Sequence, residues 1–254
     1  MKVLMNFFIP VRNNLTALLL FLAGWWALSI AFRDTVVPSP VHILQNISVL
    51  ADRGFLFNLK LTVLRTGLSF LIAFACGTLV GMFAFTLKIH ESVETFLALL
   101  QVLPGTLLGI IFLLIFGVGN TVPIVLAVSL VSPLMAIHTS NCLLKKNNLL
   151  IDMVRSFRGT IRNVIQDIYI PALIPAMKSN TTTGMVFSLK IVILGEFLAA
   201  ENGLGYLLNA SRIYFNMQAV YFYLLAMVVL IVCFQIVAHT AFVVFFGKYL
   251  YPDA

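Results

Sequence analysis

The chain has few charged residues: aspartate, glutamate, lysine and arginine together make up 10% of its 254 residues. Soluble domains carry roughly 25%, so this chain lacks the polar side chains that would cover a water-exposed surface. Hydrophobic residues account for 61% of the sequence, and the mean hydropathy is +1.05. These values exclude a soluble globular protein and indicate an integral membrane protein.

The sequence also lacks the motifs of several chemistries. Its three cysteines (Cys76, Cys142 and Cys233) are far apart, which predicts free, buried thiols rather than a disulfide framework or a metal site. The spans contain neither a clustered Ser/His/Asp set nor a paired-carboxylate motif, which argues against a membrane enzyme. No GxxxxGK[ST] phosphate loop is present, so the chain cannot hydrolyse ATP by that route. The net charge of +7 is scattered among loops, without a dense patch for nucleic acid.

Long uncharged runs predict the membrane spans, since a bilayer core of about 30 Å needs around 20 apolar residues in a helix. We predict an all-α integral membrane protein, with one transmembrane domain over residues 1–254 and six spans. Pro104 is expected to kink or break the third span, and Lys178 and Lys190 interrupt the fifth. The predicted spans are residues 15–32, 66–87, 95–116, 121–144, 172–198 and 220–246.

The distribution of basic residues predicts the orientation. Lysine and arginine are concentrated in the N-terminus, the 88–94 and 145–170 loops and the C-terminus. The opposite side carries fewer, among them Arg33, Arg53 and Arg212. Because cytoplasmic loops are enriched in basic residues, we expect both termini and the 145–170 loop, between spans four and five, in the cytoplasm.

Small residues recur four apart in the second predicted span, at Ala73, Gly77 and Gly81. They lie on one face of a helix and let another backbone approach closely. The spacing fits packing within one bundle and a seam between two chains equally well.

A short basic segment, SFRGTIRNVIQDIYIPALIP (156–175), interrupts the apolar runs. Its apolar residues fall at i, i+4, i+7, i+8 and i+11 from Phe157, which predicts one helical face. Pro171 lacks a backbone donor and restricts Ile170, so we expect the short helix to end there and a new one to begin at an angle. Periodicity alone fits both a helix lying in the membrane interface and a helix docked on a cytoplasmic partner.

The spacing in this segment resembles a known family. Asp152-Met153-Val154, three residues, Arg158, nine residues and then Ile168-Tyr169-Ile170-Pro171 is similar to the EAA loop of ABC importer permeases: Glu-Ala-Ala, three residues, Gly, nine residues, Ile-x-Leu-Pro. Arg158 stands where the family has its loop glycine, and Gly159 is displaced by one. The geometry of the turn therefore does not follow from the family here.

Four further segments, in order along the chain, are similar to permeases of the nitrate, sulfonate and taurine import group. Together with the loop they identify the chain as resembling a member of that group. The segments are VPSPVHIL (37–44), NLKLTVLRTGLSFLIAFACGTLVG (58–81), LPGTLLGIIFLLIFGVGNT (103–121) and GEFLAAENGLGYLLNASRIYF (195–215).

The resemblance implies a transport subunit, not an enzyme, in the bacterial inner membrane. Its implied partners are a second copy of the chain, two ATP-binding subunits that use ATP and Mg²⁺, an extracytoplasmic solute-binding protein and the lipid bilayer. The chain itself would bind no cofactor. The alternative is a secondary transporter or channel, which would show internal repeats with matched broken helices.

The resemblance assigns the segment around 145–170 to docking on the ATP-binding subunit. Phe157, Ile161 and Ile165 would supply the apolar contacts there. Arg158 and Arg162 would meet acidic partners. The implied docking residues are Asp152, Met153, Val154, Phe157, Arg158, Gly159, Ile161, Arg162, Ile165, Ile168 and Pro171.

Two charges near the end of the fifth span are candidates for the translocation pathway. Lys190 falls near mid-membrane, where a charged group is costly. It would meet an anionic solute or, alternatively, pair with an acid such as Glu196 of another chain. Glu196 and Glu201 would either receive the binding protein or cap a neighbouring helix, and Gly203 and Gly205 are expected to be turn residues. Arg65 is expected to anchor the second span at the membrane edge.

Overall fold

The computed structural model describes residues 16, 19–20, 22–33, 36–45, 47, 52–146 and 148–250, and all regular structure among them is helical. We number the α-helices in chain order. The short helix α8 is joined to α9 by a π-helical turn at Ile165–Tyr169, which is not numbered. They are α1 Leu22–Ala31, α2 Pro40–Gln45, α3 Arg53–Thr86, α4 His90–Val102, α5 Gly105–Phe116, α6 Thr121–Leu144, α7 Asn148–Ser156, α8 Ile161–Val164, α9 Ile170–Ala199, α10 Leu204–Ile213 and α11 Met217–Leu250.

Four continuous helices are long and apolar enough to cross a membrane: α3, α6, the helix that ends in α9, and α11. A fifth span arises if α4 and α5 count as one broken span. The prediction of spans at 66–87, 121–144, 172–198 and 220–246 therefore has a helical counterpart in each case. Most of the predicted span 15–32 falls on α1, which is short, and on residues outside the described ones.

Pro104 breaks the third predicted span, as expected. α4 and α5 are bent by 84° at Leu103 and Pro104. Proline lacks a backbone N–H and cannot continue the hydrogen-bond pattern of α4. The break turns α5 back so that Gly109 packs against Leu198 of α9.

α6 is the central helix of the bundle, packed along both α3 and α9. Glycines make the approach close: a Cβ at Gly77 would lie 2.6 Å from the Ser132 carbonyl oxygen, and one at Gly81 would lie 2.4 Å from that of Ala136. On the other side, a Cβ at Gly195 would lie 2.5 Å from Pro123 Cα. The small-residue face of α3 thus packs within its own chain.

The segment before α9 differs from its predicted form. The helix does not end at Pro171; it runs without a break from Ile161 to Ala199 through a π-helical turn at Ile165–Tyr169. An extra residue in that turn moves the preceding carbonyls away from the proline ring, which would otherwise clash with the carbonyl of Asp167. The prediction of a new helix at an angle was wrong for this reason.

The cysteines are free, but none of the three is fully buried, contrary to the prediction. Cys76 on α3 and Cys233 on α11 are exposed, and Cys142 is half-buried. In a membrane-spanning chain an exposed helix face meets lipid or another subunit, so a weakly polar thiol is tolerated there.

Candidate docking loop and a buried ion pair

The candidate residues lie at two opposite ends of the bundle, which we call the loop end and the far end. The loop end carries α7 and α8, together with the C-termini of α3 and α6. The far end carries the α9–α10 turn (residues 200–203) and residues 119–120, where the Gly119 N–H donates to the Ala199 carbonyl at 2.8 Å. Each end holds one group of the residues singled out in the sequence.

The turn between α7 and α8 is built on Arg158. This residue has φ +57°, the left-handed conformation that glycine usually supplies just beyond a helix C-terminus. The Gly159 N–H then donates to the Val154 carbonyl at 2.8 Å, closing a Schellman motif. The turn therefore forms at the family position with arginine in place of glycine, at a cost of about 1–2 kcal/mol.

Gly159 has a different role in the same turn. A Cβ there would lie 2.5 Å from Val154 Cγ1 and 2.7 Å from the Val154 carbonyl oxygen. Close approach, rather than backbone freedom, thus requires glycine at this position. Thr160 then caps α8: its hydroxyl accepts from the Asn163 N–H, and the Asn163 side chain accepts from the Thr160 N–H.

A small core holds the two short helices together. Ile151 of α7, Val164 of α8 and Ile168 of the π turn are buried against one another, with Val154 and Tyr169 packed beside them. Two of the residues assigned to docking, Val154 and Ile168, therefore lie inside the loop rather than on its outer surface. Pro171 is half-buried in the first turn of α9.

The outer surface of the loop is apolar. Phe157 is 76% exposed and Ile161 80%, and Met153 and Ile165 are also exposed. Asp152, Arg158 and Arg162 are exposed beside them. A groove of about 330 Å³ lies between the helices, lined by Met153, Phe157 and Gly159 among others. These residues form one surface that combines large apolar groups with basic ones.

At the far end, Glu196 and Arg65 form a buried ion pair. Their exposed fractions are 0% and 5%, and Arg65 Nη1 donates to Glu196 Oε1 at 2.7 Å. The carboxylate also accepts from the Thr62 hydroxyl at 2.8 Å and from the Gly205 N–H at 3.1 Å. Arg65 further donates to the Asn202 carbonyl at 2.9 Å and to the side chains of Asn120 and Asn202. The charges are thus paired and well supplied with hydrogen bonds.

The α9–α10 turn is fastened to α3 by the same network. The Gly203 N–H donates to Asn58 Oδ1 at 2.5 Å, and the Leu204 N–H donates to the Thr62 hydroxyl at 2.9 Å. Gly203 has φ +106°, so it is a turn residue as expected. Gly205 lies inside α10, where a Cβ would be 2.2 Å from the Ile193 carbonyl. Four segments, α3, α9, the turn and residue 120, meet at the Arg65–Glu196 pair.

The other predicted charges at this level are exposed. Lys190 lies on the exposed side of α9, seven residues after exposed Thr183. Within the part of the chain that the structure describes, the Lys190 side chain makes no hydrogen bond or ion pair. Glu201 is exposed in the α9–α10 turn. Of the two pathway candidates, only Lys190 thus has its side chain open to surroundings outside this chain.

Sequence reasoning missed the hydrogen-bond network around Arg65 and Glu196. Asn58, Thr62 and Asn202 are polar residues in or beside the segments similar to permeases, and each is part of the network. Their spacing on α3 was a usable signal, because Asn58, Thr62 and Arg65 fall at i, i+4 and i+7 and share one helix face. A polar face on an apolar helix indicates a buried partner or water.

The chain belongs to a known family. Residues 70–245 match the binding-protein-dependent transport system inner membrane component family. The match covers α6, α9, the candidate docking loop, the α9–α10 turn and nearly all of α11. Glu196 lies within the matched residues, and Arg65 lies before them. The chain is therefore the membrane permease component of an ABC importer, a class that works with ATP-binding subunits and binding proteins.

Individual relatives agree with this placement. The chain is 23% identical over 211 residues to a probable ABC transporter permease protein of Brucella melitensis biotype 1, covering 82% of this chain and 85% of the relative. It is 22% identical over 194 residues to the formylaminopyrimidine transport permease protein ThiX of Halalkalibacterium halodurans, covering 75% and 78%. A structure of the inward-facing MetNI methionine ABC transporter superposes with a TM-score of 0.63 at 18% identity, covering 74% of this chain and 94% of that one.

Proposed function

We propose that this permease forms the pathway for a small anionic or polar organic solute delivered by an extracytoplasmic binding protein. In this proposal two copies of the chain assemble with two ATP-binding subunits in the bacterial inner membrane, and both termini lie in the cytoplasm. The solute belongs to the sulfonate, nitrate and carboxylate class. Family membership supports the general scheme, and two surfaces of this chain support its details.

The observation that carries the proposal is the exposed apolar surface of the docking loop. Phe157 and Ile161 lose little of their surface to this chain, although the loop has a core of its own in Ile151 and Val164. Burying such side chains stabilises a contact by about 1.5–3 kcal/mol each. A helix that only lies on lipid needs one apolar face, whereas here two short helices and a tight turn shape a groove. That shape favours a protein partner, the ATP-binding subunit.

The arginines on the same surface provide the test. Reversing both charges, Arg158→Glu with Arg162→Glu, is expected to reduce uptake at least tenfold and to release the ATP-binding subunit during purification, because like charges would face its acidic groups. Uptake assays and subunit stoichiometry after affinity purification measure these effects. The matched control is Lys60→Glu, an exposed lysine of α3 near the far end of the bundle. Normal uptake and a full complement of ATP-binding subunits in the double variant would refute the docking contact.

The exposed side of α9 supports the proposed solute class. A helix face against hydrocarbon is normally apolar, and charged groups within spans face a bundle interior or a water-filled cavity. Thr183 and Lys190 share an exposed face, whereas Asn180, Gly184 and Ser188 are buried. We therefore assign the Thr183 and Lys190 face to the pathway, with Lys190 as the group that attracts an anion. Glu196 is already neutralised by Arg65, so we assign it no solute contact.

Removing the Lys190 charge is expected to weaken uptake of an anionic solute by about tenfold or more, because charged hydrogen bonds contribute about 1.5–3 kcal/mol. The variant is Lys190→Met, and Lys178→Met, an exposed lysine on the same helix, is the control. Uptake of the ligand carried by the partner binding protein is measured at several concentrations. Uptake equal to that of the unmodified permease would remove Lys190 from the pathway.

A further inference from the structure

A second cavity lies at the loop end, apart from both the docking groove and the buried ion pair. It has a volume of about 810 Å³ and opens between the C-termini of α3 and α6 and the start of α9. This size is within the range of small-molecule sites, roughly 300–1,000 Å³. Most of the lining is apolar, including Phe85, Leu143 and Leu173.

The cavity has a basic lining, in which the hydroxyl residues Thr86 and Tyr169 are the other polar groups. Lys88, Lys146 and His90 line it, and no acidic residue does. The Lys146 amino group lies 4.5 Å from the centroid of the Phe85 ring and 5.7 Å from that of Tyr169. The only ion pair among the described residues is Arg65–Glu196, so neither lysine of the cavity is neutralised by a carboxylate there. The positive charge is therefore available to a ligand.

We propose that this cavity binds an anionic phospholipid of the inner leaflet, with its phosphate held by Lys88 and Lys146 and an acyl chain along the apolar lining. The cavity lies where three apolar helices end, which is the level of the lipid headgroups. Basic pockets between transmembrane helices on the cytoplasmic side bind anionic headgroups. The proposal rests on the orientation given under the proposed function. It adds a lipid site directly beside the π turn that joins the docking loop to α9.

The test uses the assembled transporter, delipidated and returned to nanodiscs of phosphatidylcholine with 0 or increasing fractions of phosphatidylglycerol. Retained lipid is counted by native mass spectrometry, and thermal stability is measured in parallel. We expect saturable retention of phosphatidylglycerol over phosphatidylcholine. In Lys88→Gln with Lys146→Gln, the affinity should fall by about tenfold or more. Lys145→Gln, which removes the neighbouring exposed lysine, should leave it unchanged.

A second variant fills the cavity without changing its charge. Thr86→Trp places a large side chain at the lining and should also abolish retention. Equal retention of both lipids, or retention unaffected by the two lysine substitutions and by Thr86→Trp, would overturn the proposal. Retention by the isolated permease but not by the assembled transporter would overturn it too, since another subunit would then cover the cavity. Uptake and ATP-binding subunit content are recorded separately, so loss of the lipid site is distinguishable from failure of the docking loop.

Discussion

Arg65→Met is expected to destabilise the permease by about 3–5 kcal/mol, the usual cost of removing one partner of a buried ion pair. The substitution leaves the Glu196 carboxylate fully buried without its counter-charge. It also removes the donors to Asn120 and Asn202, so residue 120 loses its bond to α3. The α9–α10 turn is then held to α3 only through Asn58 and Thr62. Unfolding of the detergent-solubilised permease in mixed micelles measures the change.

Two companion variants make this test specific. Arg53→Met removes an exposed arginine from the same helix and should change stability by less than about 0.5 kcal/mol. Arg65→Met combined with Glu196→Gln removes the uncompensated charge, yet keeps an amide oxygen for Thr62 and Gly205. The double variant should therefore be more stable than the Arg65→Met variant. The double-mutant cycle gives the coupling free energy between the two residues. A single variant as stable as Arg53→Met, or a double variant no better than the single one, would contradict the buried pair.

Gly159→Ala is expected to open the docking loop, because its Cβ would lie 2.7 Å from the Val154 carbonyl oxygen, a backbone atom that cannot rotate away. Overpacking of this kind costs about 1–3 kcal/mol. Hydrogen exchange of the peptide spanning residues 148–170 should accelerate by about tenfold, and the permease should retain less ATP-binding subunit.

Arg158→Gly is the matched comparison. Glycine adopts the φ of +57° without the penalty of about 1–2 kcal/mol that arginine bears. The greater freedom of glycine in the unfolded chain offsets about 0.4–1 kcal/mol of that gain, so the loop should become more stable by roughly 1 kcal/mol or less. Exchange in the same peptide should then be slower than in the unmodified chain. If Gly159→Ala and Arg158→Gly show the same exchange, the Schellman turn described for this loop is not the one that forms.

Composition and the uncharged runs were sufficient to predict that the central helices exist and roughly where they lie. The span predicted at 121–144 coincides with α6, because the helix begins after the turn that ends at Asn120 and the uncharged run ends at Lys145. α3 begins thirteen residues before its predicted span. Lys60 and Arg65 interrupt the apolar run but not the helix, since Arg65 is neutralised by Glu196. A rule that ends spans at charges could not anticipate a partner 131 positions away.

The turns were harder to predict because the expected glycine is absent. Lys88, Arg158 and Phe215 all adopt positive φ just beyond a helix C-terminus. The N–H of the following residue closes the same bond each time, as in Ile89 to the Ala84 carbonyl at 3.1 Å and Asn216 to that of Ser211 at 2.9 Å. All three side chains are exposed, so the hydrogen bonds that close the helix C-terminus, rather than packing, hold this conformation. Family spacing predicts a docking loop at this place, whereas the conformation of Arg158 required the structure.

The most direct measurement of the central claim is uptake by proteoliposomes that contain the purified permease, its ATP-binding subunits and the loaded binding protein. An importer of this class should accumulate the solute only with ATP and Mg²⁺ inside the vesicles. Uptake should cease with a non-hydrolysable ATP analogue, and an imposed proton gradient should not restore it. Accumulation driven by an ion gradient, by the permease alone and without ATP, would contradict the account and identify a secondary transporter.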